Sequence, residues 1–210
     1  MDAASTWLAN MASRWLATVG MLIAGPAFLL NFIAHDGIMP GPDEVDRTDG
    51  AFSLMFMAGV ALIVAALIIT RPSPVGRKGR WLLYAVAAMV VLGAVWSAFI
   101  IADPNNRESS NPLIIVGDAS WPLHQALMLV VGIVALRARR WPAPARFALF
   151  GPALGVVLVV VSAALNTDIV AATAIGAGWV IAGFGVLAAT ASHDAAGESR
   201  DAAVRAVAAS

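Results

Sequence analysis

The chain of 210 residues is 60% hydrophobic and only 12% charged, with a mean hydropathy of +0.82. Soluble domains carry about 45–50% apolar and about 25% charged residues, so this composition excludes a soluble globular or disordered chain. Thirteen basic and thirteen acidic residues cancel, leaving no net field for a nucleic acid, and the lack of cysteine excludes disulfides, iron–sulfur clusters and thiolate chemistry.

The amino terminus, MDAAST, has an acid where a signal peptide carries its positive charge, so it reads as uncleaved. Trp7, Met11 and Trp15 recur every four residues, which predicts an interfacial helix within residues 1–14. Crossing a hydrocarbon core of about 30 Å takes about 20 apolar residues. Six stretches meet that need: Trp15–Ala34, Ala51–Thr70, Trp81–Ala102, one within Leu113–Leu136, Phe147–Leu165 and Ile169–Thr190. The expected architecture is all-α, a polytopic six-transmembrane-helix bundle over residues 15–192. A cytoplasmic tail, residues 193–210, follows it, and no linker is long enough to divide the chain into domains.

Lysine and arginine set the orientation. Eleven of the thirteen lie at Arg14, after spans two and four, and after span six; only Arg47 and Arg107 lie in the opposite loops. Those opposite loops hold Asp36, Asp43, Glu44, Asp46, Asp49, Asp103 and Glu108. Both termini are therefore expected in the cytoplasm. Arginine outnumbers lysine twelve to one, as in a GC-rich bacterial genome, which points to a bacterial plasma membrane.

Arg-Trp opens spans one, three and five, at Arg14-Trp15, Arg80-Trp81 and Arg140-Trp141, with Asp36, Asp103 and Asp168 near the outer turns. This pattern suggests three helical hairpins, although interfacial boundaries attract the same residues. Lipid supplies no hydrophobic drive between helices, so small residues must carry their packing. Gly20 and Ala24 in span one, Gly151 and Gly155 in span five, and Ala174, Gly178 and Ala182 in span six mark such faces. They suit neighbouring helices, a membrane-protein partner or a homo-oligomer.

Ionisable groups inside a span are costly and stand out as functional candidates. Here the polar residues gather toward the outer leaflet. Span four is expected to start near Asp118, with Asp118 or Ser120 as cap and Leu113–Val116 extended. His124 would then sit about 9 Å below that start. The candidate ligand pocket comprises His35, Asp36, Asp118, His124 and Gln125 over a floor of Trp96 and Trp121. His35, His124 and Asp118 are the candidate metal ligands, and haem between the two histidines is a further possibility. No HExxH, GxSxG or phosphate-binding glycine loop occurs, so no catalytic residue is assigned and no cofactor is required. An accessory, sensory or assembly protein accounts for these absences best. A small transporter or channel is the alternative.

Overall fold

A computed structural model of the chain describes residues 3–37, 46–103, 112–165 and 167–208. Asp43, Glu44, Arg107, Glu108 and Asn166 lie outside these residues, as does the side chain of Asp118. The described residues are all-helical: α1 (Ala3–Ala34), α2 (Arg47–Ile69), α3 (Gly76–Ala102), α4 (Pro112–Ala138), α5 (Ala143–Ala148), α6 (Gly151–Leu165) and α7 (Asp168–Ala208). Five of them, α1 to α4 and α7, are long and apolar enough to cross a membrane.

The fifth expected span is divided. Bonds from Leu149 N–H to the Arg146 carbonyl and from Phe150 N–H to the Phe147 carbonyl tighten the end of α5. Pro152 has no N–H to offer the Ala148 carbonyl, so the α-helical ladder cannot run straight through. The remaining α6 has 15 residues, a length of about 22 Å.

Helix ends also depart from the sequence expectation. α1 runs unbroken from Ala3, with Trp7, Met11 and Trp15 exposed along one face and Asn10 and Ser13 buried on another. Asn10 Oδ1 accepts the Arg71 N–H at 2.9 Å, so this part of α1 is held by the chain after α2. α4 begins at Pro112, six residues before the expected cap. Leu113–Val116 is thus helical, and Ser120 is an interior residue whose hydroxyl donates back to the Gly117 carbonyl. The segment after His193 is a continuation of α7, where Asp194 pairs with Arg14 at 2.5 Å.

The helices close on themselves in sequence order. α1 packs on α2, α2 on α3 and α3 on α4; α4 meets α6, α6 meets α7, and α7 returns to α1. Glycine makes three of these contacts possible. A methyl group at Gly20 would stand 2.6 Å from the Gly59 carbonyl oxygen, and one at Gly59 would press on the Ala24 nitrogen and Cβ. Side chains at Gly176 or Gly178 would collide with the carbonyls of Gly25 or Gly151. The small-residue faces of α6 and α7 are therefore occupied within the chain.

Gly178→Leu should lower thermal stability in detergent by about 1–3 kcal/mol, because neither backbone can retreat. At Gly197, where nothing lies within 4 Å, alanine should be neutral or stabilising by up to about 1 kcal/mol through helix propensity. Equal effects at the two positions would contradict the crossing.

Candidate functional site

The polar residues near the end of α1 and the start of α2 form one cluster. α1 ends in a left-handed turn: Asp36 has φ +54° and Gly37 φ +82°. The Gly37 N–H bonds the Phe32 carbonyl at 2.9 Å, and the Asp36 N–H bonds the Ile33 carbonyl at 3.2 Å. This paired closure is the Schellman motif, and it makes His35 the C-cap residue. The His35 Nδ1–H donates to the Asn31 carbonyl at 3.0 Å, fixing the ring along its own helix.

α2 begins with a reciprocal cap. Asp46 Oδ1 accepts the N–H groups of Thr48 and Asp49 at 2.7 and 3.0 Å. Asp49 Oδ2 in turn accepts the Asp46 N–H at 2.8 Å. Such a box satisfies orphan donors of the first turn, and the positive helix terminus favours both carboxylates. Asp49 is nevertheless 96% buried, its relative exposure being 4%. Its other oxygen accepts Asn31 Nδ2 at 2.7 Å.

The two ends then face each other. His35 Nε2 lies 3.6 Å from Asp49 Oδ2 and 3.8 Å from Asp46 Oδ1. The carbonyl bond at Asn31 raises the His35 pKa above its ordinary value; partial burial opposes this, and Asp49, Asp46 and Asp36 add to the rise. Burial alone would raise the Asp46 carboxyl, but the backbone donors of Asp49 and Thr48, with His35, hold it below its usual range. One ligand atom from each of His35, Asp46 and Asp49 falls within 4.8 Å of the others, close enough that a metal ion could be held among them.

The other members of the expected pocket lie elsewhere in the packing. His124 is fully buried, and its Nδ1–H donates to the Ser120 carbonyl at 2.8 Å. Its ring lies 6.1 Å from Trp121 and stacks 5.7 Å from Trp179. Trp121 stacks on Phe56 at 5.3 Å and meets Phe28 edge-on. Trp96 stacks on Phe99 and fills the space over Gly117. Gln125 is buried, with Oε1 lacking a partner, as do His124 Nε2 and Trp179 Nε1. His35 and Asp36 thus share the first cluster, while Trp121 and His124 belong to an aromatic stack joining α1, α2, α4 and α7.

Asp46 and Asp49 were read from sequence only as part of an acidic loop. The available signal was the spacing Asp-x-x-Asp ahead of an apolar run, the pattern of a helix cap. No family model matches the chain, and no curated protein or solved structure shows significant similarity to it.

Two measurements check this geometry. Asp46→Ala should cost about 0.5–2 kcal/mol through loss of the cap, whereas Asp46→Asn, itself a good cap, should stay near wild type. Asp49→Asn should move the His35 titration midpoint down in an NMR pH series, because it removes a negative charge that favours the imidazolium. An unmoved or higher midpoint would place His35 away from Asp49.

Proposed function

We propose that the chain is an accessory, sensory or assembly protein of a bacterial plasma membrane, with six crossings and no transport path. In this reading α5 and α6 together supply the fifth crossing, and both termini lie in the cytoplasm, as the eleven-to-two distribution of lysine and arginine suggests. The cluster at His35 then sits on the outer side. Its cytoplasmic counterpart is the run of arginines after α2 and α4.

One observation carries the functional choice. Most of the described side chains buried midway along the helices are apolar, Met57, Val60, Ile63, Val86, Met128 and Val131 all being 0% exposed. The buried polar exceptions, His124 and Gln125 halfway along α4, form no continuous polar path. Carriers instead place substrate and coupling ions at the midplane, on discontinuous helices with polar linings. A centre packed mainly with apolar side chains suits a protein that holds its shape and presents its ends. The surfaces offered to a partner are those ends and the lipid-facing helix sides.

The chain contains no cysteine, so single cysteines report cleanly. Val60→Cys and Met128→Cys should resist a water-soluble maleimide in sealed vesicles. Labelling of either would reveal an aqueous path and favour the transporter or channel alternative. Lys78→Cys and Asp103→Cys, both at exposed positions, should label from opposite sides of intact cells, with Asp103→Cys reached from outside. The reverse pattern would invert the topology.

A further inference from the structure

We propose that His35, Asp46 and Asp49 bind a divalent transition-metal ion of the zinc class, joining the last turn of α1 to the first turn of α2. This site is independent of the transport question and of the orientation in the membrane.

The electronic arrangement comes first. The Asn31 carbonyl can only accept, so the His35 Nδ1 carries the hydrogen of that 3.0 Å bond. In the neutral ring, Nε2 is then a bare lone pair. It faces Asp49 Oδ2 at 3.6 Å and Asp46 Oδ1 at 3.8 Å, both carboxylate oxygens without a hydrogen to give. Three electron-rich groups that converge this way favour a positive charge among them, either a proton on His35 Nε2 or a metal ion.

Distance and ligand type then select the class of cation. Zinc bonds imidazole nitrogen and carboxylate oxygen at about 2.0–2.2 Å, so the edges of its tetrahedron measure about 3.4 Å. The two separations from His35 Nε2 exceed that edge by only a few tenths of an ångström, and the two carboxylates lie within 4.8 Å of each other. Magnesium and calcium require six or more oxygens and have little use for an imidazole. A nitrogen with two carboxylates suits zinc and its neighbours.

Support around the ligands is already in place. Metal-bound histidine characteristically donates its second nitrogen to a carbonyl or carboxylate, and bound carboxylates are themselves hydrogen-bonded. Here the Asn31 carbonyl orients His35, and Asn31 Nδ2 holds Asp49 at 2.7 Å. Asn31 is 97% buried, with a relative exposure of 3%; its Nδ2 faces the cluster, and its Oδ1 has no hydrogen-bond partner among the described residues. Burying an amide oxygen unsatisfied is unfavourable. A water carried by the metal as fourth ligand would supply the missing donor. His35 and Asp46 keep 22% and 55% of their side-chain surface exposed, which leaves the ion a way in.

The test uses the full chain in detergent, stripped with a chelator and titrated with zinc chloride by calorimetry, with bound metal counted by elemental analysis. Wild type should take up one zinc per chain. His35→Ala and Asp46→Asn should each weaken binding tenfold or more, and Asn31→Ala about 10–100-fold as a supporting group. His193→Ala should bind as wild type. Because asparagine preserves the helix cap, Asp46→Asn decides the matter even if the His35 variant fails to fold. No uptake by wild type would mean that the cluster holds only a proton. Undiminished uptake by Asp46→Asn would place the zinc elsewhere. Either result overturns the site.

Discussion

The contact of backbone with backbone at Gly59 fixes the register on which the rest of the bundle depends. Helices in lipid gain little from hiding apolar surface against one another, so close approach and good packing must hold them. A Cβ at Gly59 would meet Ala24 N at 2.5 Å, and Gly20 lies one turn farther along the same face. From Ala24 the chain climbs eleven residues to His35, about 16 Å. From Gly59 back to Asp49 it climbs ten residues, about 15 Å. The two antiparallel helices therefore bring histidine and carboxylate to one height. A shift of α1 by one turn would separate them by about 5 Å.

Rings take over where the glycines stop. Phe28 and Phe56 meet at 4.9 Å, one turn beyond the crossing, and Trp121, His124 and Trp179 extend the contact to α4 and α7. Aromatic pairs in such geometries contribute about 0.5–1.5 kcal/mol each beyond burial. His124 belongs to this stack through its face, while its Nδ1–H is used by its own helix. A buried histidine in this setting packs as a flat, polar-edged ring against Trp179 of α7. That role explains its depth without asking it to reach His35.

The sequence disclosed helices more readily than their ends or their partners. Apolar length found α1 to α4 and α7, because a span must be long and continuous whatever surrounds it. It missed the start of α2, where Asp46 and Asp49 cap a turn that hydropathy assigns to a loop. It missed the break before α6 as well, since Leu149 and Phe150 are as apolar as the helix they interrupt, and only Pro152 marks the place. Asn31 and His35 were legible as one face from their spacing of four. Their pairing with Asp49 was not, because that depends on the Ala24–Gly59 register, a tertiary quantity with no local signature. His35 and His124 were grouped through an expected shared depth, and depth does not specify which helix faces which.

Aspartate at position 49 shows how little freedom the cluster has. A capping box ordinarily places Glu or Gln at this position, whose longer side chain reaches back to the cap nitrogen. Asp49 makes the same bond at 2.8 Å with one methylene fewer, so its carboxylate stays against the first turn. From there its second oxygen can take the Asn31 amide. Oδ2, which closes the box, is also the atom nearest His35 Nε2. Cap and cluster thus share an atom. Any cation that settles between His35 and Asp49 draws on the same carboxylate that starts α2, and α2 is the helix whose backbone α1 touches at Gly59. Charge at the cluster and helix packing at the crossing are in this way linked through one pair of packed helices.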